Sequence, residues 1–348
     1  MTAALWFVAP DFTGLPSGGT LYNRALVAAL EAAAVPVRVL DLDAARSSLG
    51  GGDGASVWVD SLYLAAVPEL HRRVRRGRLG LLLHYLPSLL EPSPAGPWSR
   101  LSELERRALS LADAVLVTSR TMRAAMQQVG VEPERLLVVE PASSFTFAAS
   151  LPPAAVSGVR AVLVAHLFFA KRVEPLLLAL AAQLKPDDRF HLCVVGDVGA
   201  DPACGARALK AAARPELAGR VQFAGVVPPA AVAERLQASN LFVSASAMES
   251  YGMALAEARR TGLPIVACAG GNVVEHVTAE AGGELVRDVP ALARACLRLS
   301  RDPNEHAERL RRARRARTPP RLWSTAASDF LAQLPWLDRP LPPSPARA

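Results

Sequence analysis

Strand-sized apolar runs alternate with longer amphipathic stretches along most of the chain, and this alternation restricts the fold more than any other feature. Strands are expected at 5–9, 35–40, 56–59, 79–84, 114–118 and 136–139, with helices at 21–33, 99–111 and 121–129 between them. Such alternation calls for parallel strands whose sheet is covered on both faces by crossover helices. From 141 to 159 the pattern lapses into Ser, Ala and Pro without a period, as in a linker. It then restarts, with strands at 161–165, 190–195, 221–223, 241–243, 265–267 and 284–286 and helices at 173–184, 230–237, 250–261 and 290–299. The expected fold class is therefore α/β, with two similar domains at 1–150 and 151–334 and a loose proline-rich tail at 335–348. Ligands of open parallel sheets bind outside the carboxyl ends of the strands, so two facing sheets would form a cleft lined by residues just after strands.

Composition narrows the class. With 348 residues, 51% of them hydrophobic, each half can bury a core of its own. No apolar stretch approaches the roughly 20 residues of a membrane span. Residues 1–10 lack a basic leader and run directly into Asp11, so they read as a buried strand rather than a signal peptide. Cys193, Cys204, Cys268 and Cys296 show no metal-like spacing, which fits reduced thiols and a cytoplasmic location. The basic excess is nearly all arginine, because Lys171, Lys185 and Lys210 are the only lysines. One arginine cluster holds Arg72, Arg73, Arg75, Arg76 and Arg78, and a second runs from Arg309 to Arg317. They read as solvated helix faces or as surfaces for peripheral membrane contact with anionic lipid. Nucleic acid is not an expected partner, since no aromatic residues interleave with the arginines.

The densest constellation lies at 244–266. A strand ends near Val243, a loop carries Glu249, a helix is expected from Ser250, and Gly262 ends it. Free amides at a helix N-terminus form a natural diphosphate site, and Gly252 would admit a phosphate close to the backbone. Eight positions of helix, about 12 Å, separate Glu249 from Glu257, roughly the reach from hexose to ribose in a nucleotide sugar. Two carboxylates so spaced can each accept hydrogen bonds from sugar hydroxyls, or can be ordinary surface residues.

This segment resembles the glutamate pair of the retaining glycosyltransferases of family 4, whose two Rossmann-like domains form the GT-B fold. Glu249, Gly252 and Glu257 stand at the family's spacing, followed by the Gly262-Leu-Pro-Ile-Val run and Gly270-Gly271. The resemblance implies that Glu249 contacts the donor sugar and Glu257 the nucleotide ribose. The stretch 162–172 is similar to the family's strand and basic loop, in which Lys171 falls on a lysine that holds the donor diphosphate. There His166 replaces the usual arginine and Arg172 the usual glycine, so Arg172 or His166 would assist Lys171. Gly196-Asp197 resembles the next strand and turn, and 220–228 the loop that holds the base. Asp302-Pro303 and Trp323 fit the closing helices that cross back to the first domain.

The first half carries fewer signals. Ser17-Gly18-Gly19-Thr20 resembles the family's N-terminal glycine loop, and the GxGxxG fingerprint of a nicotinamide enzyme is absent there. His84 ends an apolar strand, where the family often has a cleft histidine near the sugar; a buried structural histidine is the competing reading. Asp41-Leu-Asp43 mimics a metal-binding DxD motif but lacks the surroundings of the fold that uses it. Ser119 follows another recurrent strand of the family. The resemblance implies retaining transfer from a nucleotide sugar, a UDP-sugar being the commonest donor, to an unidentified acceptor. No cofactor and no catalytic metal are expected. A nucleotide-sugar epimerase of the same fold and a catalytically silent binding protein are the alternatives.

Overall fold

The computed structural model describes residues 5–10, 17–50, 56–74, 77–89, 101–143 and 158–334. They fall into two compact units, Met1–Ala142 with Arg321–Ala348, and Ser143–Pro320. The linker expected at 141–159 lies mostly outside the described residues, and the tail from 335 wholly so.

The first unit is built on a parallel sheet of β1 (Leu5–Val8), β2 (Val37–Leu40), β3 (Ser56–Asp60), β4 (Arg78–Leu83), β5 (Ala114–Val117) and β6 (Leu136–Val138), in the order β2-β1-β3-β4-β5-β6. Central strands β1, β3 and β5 are buried along their full length, as continuous apolar runs in a two-faced sheet must be. Its helices are α1 (Gly18–Ala32), α2 (Leu42–Ser48), α3 (Val67–Arg73), α4 (Glu103–Leu111) and α5 (Arg120–Gln128). Local chemistry sets their starts. Ser17 caps α1, Asp41 caps α2, Ser119 caps α5, and Ser102 with Glu105 forms a capping box on α4.

The second unit repeats the plan with β7 (Val159–Val164), β8 (Phe190–Val195), β9 (Val221–Gly225), β10 (Leu241–Ser244), β11 (Ile265–Cys268) and β12 (Glu284–Val286), ordered β12-β11-β10-β7-β8-β9, again all parallel. Helices α6 (Val173–Ala181), α7 (Pro202–Ala212), α8 (Pro229–Ala238), α9 (Met253–Thr261), α10 (Val273–His276), α11 (Val289–Arg301) and α12 (Pro303–Arg315) belong to it. The last helix, α13 (Trp323–Ala332), returns to the first unit, where Ala326, Ala327 and Phe330 are buried against Phe7, Trp58 and Leu26. The expectation that the second domain runs to 334 is corrected by this packing, because the apolar face of α13 completes the core of the first unit. No helix among the described residues is long and apolar enough to cross a membrane.

Each sheet has a point where strand order reverses: next to β1 and β3 in the first unit, next to β7 and β10 in the second. Crossovers leave in opposite directions there, which opens a crevice at the carboxyl ends of those strands.

Candidate active site

In the second unit the segments leaving β7 and β10 meet at the reversal point. The Ala247 amide donates to the Ala170 carbonyl at 2.8 Å, tying the two together. This pairing brings Lys171 and Glu249 into contact, with Nζ 2.6 Å from Oε1. Both are part-exposed, at 26% and 19% of their side-chain surface, so the pair is held in place yet open to a ligand. An ammonium carries three donors, so two remain beyond the bond to Glu249.

Glycines make this approach feasible. A Cβ on Gly270 would sit 2.1 Å from the Ala247 carbonyl, and one on Gly271 2.3 Å from the Glu249 carbonyl. Gly271 also has φ +59, and the next amide, of Asn272, donates to the Glu249 carbonyl at 2.8 Å. Asn272 and His276 then both donate to the Tyr251 carbonyl, at 2.8 and 2.7 Å. Burial drives the His276 imidazole down to about 4, keeping it neutral in that role. Asn272 and His276 had no signal in the sequence beyond following Gly270-Gly271.

The helix expected from Ser250 starts later, at Met253. Gly252 precedes it with φ +88, a left-handed conformation that suits glycine, and no side chain caps the helix. The amides of its first turn therefore face no side-chain oxygen of their own cap. Within α9, Glu257 is buried, with no hydrogen bond or ion pair to its carboxylate among the described residues. Burial pushes its carboxyl up to about 8, against a smaller opposing pull from Arg260.

The basic-loop residues behave differently from one another. Arg172 is left-handed, φ +48, and its guanidinium donates to the Ala245 and Ser246 carbonyls at 2.6 and 2.8 Å. These two bonds clamp the β10 segment. His166 accepts from the Asp197 amide through Nδ1 at 2.9 Å. Gly196 is required by packing, since a Cβ there would lie 2.0 Å from the Ala165 carbonyl. Phe169, 71% exposed two residues before Lys171, is a side chain that sequence reasoning passed over.

The first unit brings its own candidates together. The His84 ring lies 3.0 Å from where a Cβ on Gly19 would be, so the glycine loop and the histidine are neighbours and a side chain on Gly19 would press on the ring. Gly18 is the first residue of α1. His84 Nε2 is 2.8 Å from Asn23 Oδ1 and 3.4 Å from Asp60 Oδ2, while Asn23 Nδ2 donates to Asp60 at 2.5 Å. Asp60, 1% exposed, also accepts from the Leu62 amide at 2.7 Å. Burial raises its carboxyl pKa, but bonds and charge from His84, the Leu62 amide and Asn23 outweigh it and hold the group below the usual carboxylate range. Asn23 and Asp60 were not foreseen, because neither belongs to a motif.

Other expectations resolve into structure. Asp41 accepts from the Ala44 amide and Asp43 pairs with Arg46, so the DxD look-alike is a helix start. Ser119 accepts from the Met122 amide at 3.1 Å. Arg73 pairs with Glu69, Arg309 with Glu284 and Glu305, and Arg311 and Arg312 with Glu308. Arg75 and Arg76 lie outside the described residues.

Comparison with known proteins agrees with this fold. Anabaena HepE in complex with UDP and glucose superposes with a TM-score of 0.72, at 20% identity over 95% of this chain and 99% of that one. Sucrose-phosphate synthase from Thermosynechococcus elongatus gives 0.71, at 20% identity over 95% and 98%. The fold is GT-B. Within this GT-B chain, residues 159–302 match the family model for glycosyl transferases group 1. A D-inositol 3-phosphate glycosyltransferase of Streptomyces griseus subsp. griseus is 34% identical over 174 residues, which is 46% of this chain. The match spans 36% of that relative's length. The segment that matches the family model contains Lys171, Glu249 and Glu257.

Proposed function

We propose that the chain transfers a sugar from a nucleotide-diphosphate sugar, a UDP-sugar, to an acceptor with retention of anomeric configuration. The observation that carries this reading is the Lys171–Glu249 contact at the reversal point of the second sheet, one loop away from the uncapped start of α9. The donor diphosphate would lie against the first-turn amides of α9, with Lys171 adding a positive charge. Both stabilise charge that develops on the leaving nucleotide, so transfer would proceed without a catalytic metal. Glu249 would accept from donor-sugar hydroxyls. Glu257 would accept from the ribose hydroxyls, and two such donors would stabilise its ionised form against burial. In the first unit, His84, fixed by Asn23 and Asp60 and with Gly18 and Gly19 beside it, would offer a contact to a sugar hydroxyl. His166 and Gly196 would border the donor site, and Arg172 would hold the segment that carries Glu249.

Structures of HepE contain UDP and, in another crystal, UDP-glucose, which supports the choice of donor. The test is nucleotide release from a panel of nucleotide sugars in the presence of a metal chelator, with wild type beside Glu249→Ala and Lys171→Ala. Release from one donor, lost in both variants, is the expected result. No release from any donor, with candidate acceptors present, would overturn the proposal. Release only with added divalent metal would overturn its metal-independent part.

A further inference from the structure

The last turn of α9 is rich in arginine. Arg259 and Arg260 stand in it, and a Cβ on Gly262, which ends the helix, would lie 3.2 Å from the Arg314 Cα and 3.2 Å from the Arg317 side chain. Arg317 donates through Nε to the Arg260 carbonyl at 2.8 Å, and Arg259 through Nη1 to the Glu275 carbonyl at 3.0 Å. The Arg260 side chain is treated differently. The residue is 7% exposed, its Nε is buried without a partner, and its guanidinium makes no hydrogen bond or ion pair among the described residues. A guanidinium cannot shed its proton, so the charge is permanent, and proteins normally avoid burying a charge without a counter-ion.

Glu257 stands three positions earlier, a spacing at which helical side chains are neighbours. Side chains of a helix lean toward its N-terminus, so Arg260 leans toward the turn that carries Glu257. The Glu257 carboxyl, 8% exposed, also has no partner among the described residues. Two buried groups that could form an ion pair thus lie one turn apart and unjoined. Burial keeps the carboxyl protonated in the free chain, which leaves the guanidinium no anion to meet. The elements packed on α9 bring Glu234 and Arg235 of α8, Glu275 and the neutral His276 of α10, the Cys268 thiol of β11, and Arg314 and Arg317 at the end of α12. Among the described residues, Arg260 is the one charge that acts on the Glu257 carboxyl.

We infer that Arg260 is a positioning residue of the nucleotide site: when ribose hydroxyls donate to one oxygen of Glu257, the Arg260 guanidinium donates to the other. A carboxylate offers two oxygens, so both demands are met at once. The carboxyl proton passes to solvent as the ribose binds. The guanidinium then fixes the angle of the carboxylate and stabilises its charge, and its own buried charge gains a counter-ion. The identity of the ligand rests on the glycosyl-transfer reading; the pairing of Glu257 with Arg260 does not.

The test is calorimetric titration of the full chain with UDP and with 2′,3′-dideoxy-UDP, from neutral to mildly alkaline pH, for wild type, Arg260→Gln and Arg260→Lys. Arg260→Gln should bind UDP about ten-fold more weakly at neutral pH, the scale for losing a hydrogen bond between charged groups. Its affinity should rise only at higher pH than in wild type, because loss of a nearby cation raises the carboxyl further. Arg260→Lys keeps the charge without the fork, and should restore the pH profile with part of the affinity. The dideoxy analogue, which lacks the ribose hydroxyls, should bind wild type and both variants alike. The unfolding midpoint of Arg260→Gln should not fall, since the side chain it replaces bonds to nothing in the free chain. An unchanged pH profile, or an equal loss for the dideoxy analogue, would overturn the inference and leave Arg260 a packing residue. If Arg260→Gln does not fold, Arg260→Lys decides by the same comparison of UDP with its analogue. Titration of the Glu257 carboxyl in the free chain, followed by the carbon-13 resonance of labelled glutamate, needs no ligand. Its midpoint should lie higher in Arg260→Gln than in wild type, and equal midpoints would overturn the pairing. If wild type binds no UDP, the glycosyl-transfer reading falls and that midpoint alone decides the pairing.

Discussion

The two units use the same sheet plan but treat charge at the strand-order reversal in opposite ways. In the first, Asp60 and Asn23 are 1% exposed and bonded to each other and to His84, so every group has its partner inside the protein. In the second, Lys171 and Glu249 meet as a part-exposed pair, and Glu257 is buried with no partner for its carboxylate among the described residues. The first unit orients a histidine in advance. The second keeps unmet hydrogen-bonding capacity that a ligand can fill. The difference teaches that a shared topology fixes where a site can lie, whereas side-chain pairing decides whether that site is rigid or receptive.

If this contrast is right, substitutions in the second unit should damage activity more than stability, and substitutions in the first should do the reverse. Glu249→Ala and Lys171→Ala are each expected to lower turnover by about 10²–10³-fold, the scale for losing one transition-state charge contact. Their unfolding free energies should move by under about 1 kcal/mol, as for part-exposed pairs. Steady-state kinetics and urea unfolding together check this, and loss of folding in either variant breaks the comparison.

Asp60→Ala is expected to cost about 3 kcal/mol, because it leaves buried partners unsatisfied. Asp60 also gives a pH signature. Its carboxyl is held below its ordinary value in the folded state, so its contribution is complete above the unfolded value and is lost as pH falls through the folded one. Acid unfolding that is unchanged in Asp60→Asn would contradict the assignment.

Gly271→Ala should cost about 1–3 kcal/mol, since it places a side chain at φ +59 and against the Glu249 carbonyl. Turnover should fall with it, because the clamp on Glu249 is displaced. An unperturbed melting transition would show that the clamp has slack.

Glu257 carries a smaller and sharper test. With its carboxyl raised to about 8, it is protonated at neutral pH in the free chain. Its effect on stability is present below its ordinary value of 4.5 and is lost as pH rises through about 8. Ribose hydroxyls that donate to the carboxylate favour its ionised form, so UDP affinity should rise with pH toward and past 8, by about ten-fold overall. The Glu257→Gln variant should show a flat profile. The least effect is expected from anionic vesicles. The described arginines of α12 largely answer glutamates of their own helix, and little sedimentation should occur at moderate salt.

Much of the architecture was legible because buried parallel strands must be apolar on both faces. All twelve strands of the described residues lie where apolar runs were read, with ends shifted by a residue or two. Helices α2, α3, α7 and α10 were not read: α2, α3 and α10 are short, and Pro202–Ala212 is dominated by small residues that give no apolar stripe. The Glu249–Glu257 spacing and the scarce Lys171 were visible because they form an ordered motif. The clamp that Arg172 makes on the β10 segment was not legible, since a charge in a basic loop carries no mark of which backbone carbonyls it will meet.

The sequence by itself determined two parallel α/β units, the strands that form them and the loop that carries Glu249. All of these follow from periodicity, glycine placement and local capping, which act over a few residues. Tertiary structure alone decided that Lys171 touches Glu249 across 78 positions, that Asp60 and Asn23 hold His84, and that α13 completes the first core. Those contacts depend on strand order, and strand order is set by how helices pack across the whole sheet, which no local pattern encodes.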